Sequence, residues 1–146
     1  MFYNCVNINE INLSNFNTSK VISMDHVFYR CTSLTSLDLS NFNTLNVTSM
    51  FRMFSHCSSL TSLDLSNFDT SNLEYMNYMF ECCSSLTSLD LSNFDTSNVK
   101  SMINMFYECI NLEYINLYKF KEIELTDYVE NFCWCSRKYC YMHWWK

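Results

Sequence analysis

Glycine is missing from this chain of 146 residues, and so is proline. The lack of glycine excludes the motifs that depend on it: the dinucleotide fingerprint, the phosphate-binding P-loop, the nucleophile elbow of hydrolases and the EF-hand loop. We predict that Asn and Asp supply the left-handed backbone positions that glycine usually fills. Charge is also scarce, at 16% of the residues against about 25% in average proteins. The polar surface must therefore consist mainly of Ser, Thr and Asn.

Other absences narrow the class of function. The net charge of −6 argues against a nucleic-acid partner, because phosphate binding needs clustered Lys and Arg. The chain contains no apolar run of about 20 residues, which is the length needed to span a membrane. Its N-terminus lacks the features of a signal peptide. The three histidines stand in no spacing typical of a nucleophilic triad. We predict that the chain is not an enzyme and binds no cofactor.

Phenylalanine and cysteine recur in columns 26 residues apart. Residues 57–82 match residues 31–56 at 16 of 26 positions and residues 83–108 at 19 of 26, and the phrase CSSLTSLDLSNFDTSN occurs twice. Such a fixed period is typical of stacked repeats. The columns are Phe16, Phe42, Phe68, Phe94 and Phe120; Phe2, Phe28, Phe54, Phe80, Phe106 and Phe132; and Cys5, Cys31, Cys57, Cys83, Cys109 and Cys135.

Each unit is predicted to contain a strand, a turn and a helix. In LTSLDL, Leu60, Leu63 and Leu65 indicate a short strand with its leucines facing inward. The following SNFDTSN is rich in residues that form Asx and Ser/Thr turns. Apolar residues then recur at the spacing of one helix face. In this unit they are Leu73, Met76, Met79, Phe80 and Cys83.

An LxxLxL strand followed by a polar turn and an apolar helix is the plan of the leucine-rich repeat. The fuller pattern LTSLDLSNFDTSNVxxMxxMFxxC, which extends from Met1 to Cys135, resembles the repeats of the BspA-like leucine-rich-repeat surface proteins. The predicted fold is an α/β solenoid: a leucine-rich-repeat right-handed superhelix with short parallel strands on one face and short helices on the other. Where that family usually has glycine before the repeat cysteine, this chain has His56, Cys82 and Glu108.

The resemblance implies recognition or attachment at a cell surface, often toward host or matrix proteins, and no catalysis. We predict a non-enzymatic protein-recognition or adhesion module, a fragment of a cell-surface or extracellular leucine-rich-repeat protein, whose partner is another protein. The alternative is an intracellular protein-interaction scaffold. The nine cysteines, if free thiols, and the lack of a visible signal favour that alternative, with a cytoplasmic location if the chain is complete as given.

The outward positions of the strands are the predicted binding surface, since leucine-rich-repeat proteins generally bind through that face. Its three aspartates either recognise a basic partner or a cation, or only form hydrogen bonds with neighbouring hydroxyl groups. The candidate residues are Ser36, Asp38, Ser40, Ser62, Asp64, Ser66, Ser88, Asp90, Ser92, Tyr114 and Tyr118.

The cysteine column is predicted to consist of buried thiols, because equivalent positions of stacked units project the same way and cannot form disulfides. Cys82 lies outside the column and is expected to be reactive. The residue types of a zinc site occur near the end of the chain, but their spacing matches no common zinc pattern, so no metal site is predicted. These residues are Cys133, Cys135, Cys140 and His143.

The chain is predicted to comprise a solenoid of about five and a half units over residues 1–135 and a C-terminal aromatic cap over residues 136–146. Met1 aligns with the middle of a unit, so the N-terminal end is expected to be uncapped. An open end of this kind indicates either a truncated fragment or self-association through that end.

Overall fold

The computed structural model describes residues 1–121 and one further strand, Tyr141–His143. Successive 26-residue units stack as coils, so that hydrogen bonds join residues about one unit apart. The predicted repeat fold is confirmed, whereas the right-handed superhelix and the boundary at residue 135 stay predictions. We number the coils from the repeat cysteines: coil 1 is residues 5–30, coil 2 is 31–56, coil 3 is 57–82, coil 4 is 83–108, and coil 5 begins at 109.

The repeated apolar columns form one continuous core. Its clearest element is a stack of parallel phenylalanine rings, one from each of coils 1 to 4 and one from the segment before coil 1, whose consecutive centroids lie 5.6 to 5.7 Å apart. Leu63 and Leu65 are buried, as their alternation around Asp64 predicts. Removing such side chains from water is the main stabilising contribution to the fold. The stacked rings are Phe2, Phe28, Phe54, Phe80 and Phe106.

The strands are short and lie at one end of the stack. Strands β1 (Ser88–Asp90), β2 (Tyr114–Asn116) and β3 (Tyr141–His143) form a parallel sheet in that order. The equivalent segments 36–38 and 62–64 are not paired as strands. The predicted parallel strands are therefore confirmed for coils 4 and 5 only. Strand β3 lies within the predicted cap and adds a strand to the sheet, while the rest of residues 122–146 lies outside the described residues.

The predicted helices are wrong, since residues 1–121 contain no α-helix. The side chains chosen by the helical spacing are buried, including Met50, Met53 and Phe54. The backbone instead makes consecutive tight turns, in which Cys57 N–H donates to the Phe54 carbonyl at 3.0 Å. Both structures repeat about every three or four residues, so the apolar spacing alone cannot distinguish them.

Hydrogen bonds to the next coil replace the helical ones. Met50 N–H donates to the Tyr75 carbonyl at 2.8 Å and Phe54 N–H to the Met79 carbonyl at 2.9 Å. Parallel bridges also join Ser23, Ser49, Tyr75 and Ser101 in succession. An α-helix would need the same N–H and C=O groups for bonds within its own segment. The stacking of identical units thus satisfies the backbone across coils rather than along them.

The turn segments 25–30, 51–56, 77–82 and 103–108 each contain residues with left-handed backbone, at φ values of 54 to 62°. A positive φ at the third position of a tight turn is the reason that glycine is usual there. The prediction that Asn and Asp fill these positions is wrong except at Asn4 and Asn104. The others are His26, Arg30, Arg52, His56, Tyr78, Cys82 and Glu108.

Candidate binding surfaces

The predicted binding residues lie together on one surface, which we call the strand face: the outward side chains of segments 36–40, 62–66, 88–92 and 114–118. All eleven candidates are exposed except Ser92, which is half-buried. The parallel register places Ser88 beside Tyr114 and Asp90 beside Asn116. Tyr114 and Tyr118 are 41% and 60% exposed. The face therefore combines rows of Ser and Asp with two accessible tyrosine rings.

The aspartates of the strand face are held by turns. The Oδ1 atoms of Asp38, Asp64 and Asp90 accept the N–H of the residue two positions later, at 2.9, 2.9 and 2.8 Å. Hydrogen bonds from that serine, through its side chain and its backbone, lower the pKa of each aspartate. Asn12 and Asn116 occupy the same column and accept the equivalent bond. The first role of this column is thus an Asx turn, which needs an oxygen but no charge.

A buried threonine ladder, which the sequence analysis missed, joins the coils after the strand face. The Thr44 hydroxyl accepts Asp69 N–H at 2.8 Å and donates to the Asp69 carbonyl at 2.9 Å. Thr18 and Thr70 bond in the same way to the coil that follows. The recurrence of threonine at the 26-residue spacing, at Thr18, Thr44, Thr70 and Thr96, was the signal that could have indicated this ladder.

An asparagine ladder lies beside it. Asn67 Nδ2 donates to the carbonyls of Leu39 and Phe42 in the preceding coil, at 2.9 and 3.1 Å. Asn41 and Asn93 make equivalent bonds. Asn67 thus bonds to two carbonyls of the preceding coil, of which that of Leu39 also accepts Phe42 N–H within its own turn. The Thr and Asn side chains of these two ladders therefore hold neighbouring coils together.

Cys31, Cys57, Cys83 and Cys109 are buried, as predicted for the cysteine column, whereas Cys5 is half-buried and Cys135 lies outside the described residues. The Sγ atoms of Cys57 and Cys83 donate to Phe28 and Phe54 carbonyls, both at 3.2 Å. Burial raises the pKa of Cys57 to about 12 and that of Cys83 well above its usual value. Cys82 is half-buried, and burial together with Glu81 and Glu108 raises its pKa. Its thiolate is therefore disfavoured, which argues against the expected reactivity.

A second surface, the turn face, comprises the outward side chains of segments 25–30, 51–56, 77–82 and 103–108. At its centre the Tyr29 ring has the guanidinium groups of Arg30 and Arg52 at 5.7 and 6.0 Å from its centroid. The imidazole rings of His26 and His56 meet it edge-on at 5.4 and 5.8 Å. We call these five residues the Tyr29 cluster.

Arg52 connects the Tyr29 cluster to the next coil. Its guanidinium lies 4.5 Å from the Tyr78 ring centroid, and its Nε is 3.7 Å from Glu81 Oε2. The same Glu81 oxygen accepts a 2.7 Å hydrogen bond from Ser55. Arg52 Nε is buried and has no hydrogen-bond partner. Arg52 thus joins the Tyr29 cluster to coil 3 through Tyr78 and Glu81.

Residues 1–121 contain no group of three or more His, Cys, Asp or Glu placed to hold a metal ion. The cysteines and histidine near the end that were weighed as zinc ligands lie outside the described side chains. Over the described range, no helix is long and apolar enough to cross a bilayer.

Comparisons with known proteins identify the family of repeats. Residues 1–120 match the family model described as "Mycoplasma protein of unknown function, DUF285". No curated protein matches the chain. Among solved structures, the chain is similar to a leucine-rich repeat protein from Bacteroides ovatus, with 24% sequence identity and a TM-score of 0.42. That similarity covers 82% of this chain, which spans 32% of the length of the Bacteroides structure.

Proposed function

The chain belongs to the DUF285 family of Mycoplasma proteins of unknown function, and we propose that it is a non-enzymatic module that binds another protein through the strand face. The observation that carries this proposal is the uniform array of exposed carboxylates. Asp38, Asp64 and Asp90 stand in one column, each held by the same Asx turn. Because the turn already fixes these side chains, little conformational entropy is lost when a partner binds them.

The composition of the strand face favours a protein with a basic patch as the partner. Its charged groups are carboxylates, which attract Lys and Arg and repel phosphate groups. At one end of the face, Tyr114 and Tyr118 are exposed, and tyrosine is among the residues that contribute most to protein interfaces. We therefore propose a protein partner and neither a nucleic acid nor a cofactor.

The setting of this recognition is a separate part of the proposal. By resemblance to the BspA-like proteins, we propose adhesion at a cell surface, within a right-handed solenoid, toward a host or matrix protein. The alternative, an intracellular scaffold, is supported by Cys31, Cys57 and Cys83. These thiols form no disulfide and are compatible with a reducing compartment. Protease treatment of intact cells separates the two, since only a displayed chain is degraded. Self-association through the N-terminal end is tested by sedimentation at several concentrations.

Two matched double variants test the strand face. Asp64→Asn with Asp90→Asn removes two charges from the strand face and keeps the turns, as Asn12 and Asn116 do in this column. Asp69→Asn with Asp95→Asn removes two charges from a second Asx column, in which Asn17 and Asn43 already occur. The two pairs lie in the same two coils and differ only in which surface they neutralise.

The probes are peptides selected from a random displayed library on the immobilised wild-type chain. We expect Lys-rich or Arg-rich peptides whose affinity, measured by fluorescence anisotropy, falls roughly tenfold in the strand-face variant. The Asp69/Asp95 variant should retain wild-type affinity. Equal weakening in both variants would mean that only net charge attracts the peptides, and unchanged affinity in both would place binding elsewhere.

A further inference from the structure

The turn face carries different side chains in every coil, whereas the strand face repeats. Each of coils 1 to 4 has two left-handed positions on the turn face. The residues at the first are His26, Arg52, Tyr78 and Asn104, and those at the second are Arg30, His56, Cys82 and Glu108. The strand face has Asp at the same position in coils 2, 3 and 4. Because the backbone frame is the same in each coil, that frame does not dictate which side chain the turn face presents.

The side chains at the left-handed positions of the turn face lower the stability of the fold. His26, Arg30, Arg52 and His56 adopt φ values of 54 to 62°, where a residue with a Cβ is destabilised by about 1 to 2 kcal/mol. Glycine would relieve that strain, so a frame selected for stacking alone would place glycine at these four positions. The same strain recurs along the whole turn face, at Tyr78, Cys82, Asn104 and Glu108 as well, and backbone strain of this kind is typical of a functional surface.

The Tyr29 cluster concentrates positive charge in a chain whose net charge is −6. Arg30 is exposed and forms no ion pair with any residue of the described range 1–121. The nearby Asp25 is engaged by the Ser49 hydroxyl and by Phe51 N–H. Arg52 is paired with Glu81 only at 3.7 Å. The cluster thus presents guanidinium and imidazole donors around exposed or half-buried rings.

We propose that the Tyr29 cluster binds an acidic peptide segment that also carries aromatic side chains. Carboxylates of the peptide would accept hydrogen bonds from Arg30 and from the imidazole groups of His26 and His56, which are charge-assisted at the guanidinium. Aromatic side chains of the peptide would pack on Tyr3, which is 59% exposed and stacks on Tyr29 at 5.0 Å. This site differs in location and in charge preference from the strand face, so the two proposals stand or fall separately.

The test uses a fluorescein-labelled peptide of alternating glutamate and tyrosine, and its neutral counterpart of alternating serine and tyrosine. Anisotropy at low ionic strength should show the glutamate peptide binding at least roughly tenfold more tightly than the serine peptide. The double variant Arg30→Gly with His56→Gly should lose roughly tenfold in affinity for the glutamate peptide. Its melting temperature should stay at or above that of the wild type, because glycine relieves the strain at both positions.

Cys82→Gly is the matched control, since Cys82 occupies the same left-handed column one coil beyond His56. It should also gain stability, and it should bind the glutamate peptide within about twofold of the wild type. The strand-face variant Asp64→Asn with Asp90→Asn should likewise keep this affinity. The proposal is overturned if the glutamate peptide does not bind, if it binds no more tightly than the serine peptide, or if the Arg30/His56 variant retains full affinity.

Discussion

The two halves of each coil are held to their neighbours by different chemical groups. Between coils 3 and 4 the first sixteen residues are identical, whereas the last ten match at three positions. In the first half, side chains such as Asn67 and Thr44 make hydrogen bonds from coil to coil, and backbone pairing is added between β1 and β2. In the second half the backbone makes them, as from Phe54 N–H to the Met79 carbonyl.

This difference explains which side chains are free to vary. A side chain that supplies a hydrogen bond to the next coil cannot be replaced without leaving a backbone group unpaired. A backbone hydrogen bond makes no such demand, so only the core positions of the second half, such as Met76 and Phe80, must be preserved. The repeated half therefore gives a uniform surface, and the variable half gives one that differs from coil to coil.

The core that both halves share should give the largest effect. Phe54 is fully buried between Phe28 and Phe80, and Phe54→Ala should lower the free energy of unfolding by about 3 to 5 kcal/mol. Phe51→Ala in the same turn segment is the control, because Phe51 is only half-buried. Urea unfolding followed by circular dichroism measures both. Equal losses in the two variants would contradict the description of the ring stack as the main core.

Breaking the side-chain ladder should cost less. Thr44→Val keeps the shape but leaves Asp69 N–H and the Asp69 carbonyl without their shared hydroxyl, which should lower the free energy of unfolding by about 2 kcal/mol. Thr48→Val removes only a 3.4 Å bond to the Ile22 carbonyl and should change it by less than about 0.5 kcal/mol. If both variants unfold at the same urea concentration, water has replaced the Thr44 hydroxyl and the ladder adds nothing.

The comparison also shows what the sequence could predict. The 26-residue period identified the stacked units and the buried columns, because each depends only on the recurrence of a residue type. The apolar spacing could not show whether the second half of each coil is a helix, since the buried Met50, Met53 and Phe54 fit a helix and a row of turns equally well. Whether the backbone bonds within a segment or to the next coil depends on the neighbouring coil, which local spacing does not report.

For the same reason, the sequence predicted the strand face but not the Tyr29 cluster. Alternation indicated which strand residues point outward, and of the eleven strand-face residues all but the half-buried Ser92 are exposed. Nothing in the spacing indicated that Tyr29, Arg30 and Arg52 meet, because they come together only through turns between coils. The signal that was present is the glycine of the resembled family, which is replaced before each cysteine by a side chain at a left-handed position.

Relieving strain in the variable half should stabilise the chain. Cys82 has φ 58°, and Cys82→Gly should raise the free energy of unfolding by about 1 kcal/mol, because glycine adopts this conformation without a steric penalty. Ser85→Gly, three residues later and without a positive φ, should lower it by about 0.5 kcal/mol through the added freedom of the unfolded chain. Thermal unfolding of the two variants compares them. A loss of stability in Cys82→Gly would show that its side chain contributes more than the strain costs.

The smallest effect concerns charge in the repeated half. Hydrogen bonds from Ser66 and Ser92 lower the pKa of Asp64 and Asp90, so the native state favours their ionised forms. Their contribution to stability is present above the unfolded pKa of about 3.9 and is lost as the pH falls through the lower pKa of the native state. Asp64→Asn with Asp90→Asn keeps the turns without this dependence. Between pH 6 and pH 3, the melting temperature of the wild type should therefore fall by roughly one to two degrees more than that of the variant, since such exposed groups contribute little. Parallel melting curves would instead mean that the Asx turns hold the protonated and ionised carboxyl groups equally well.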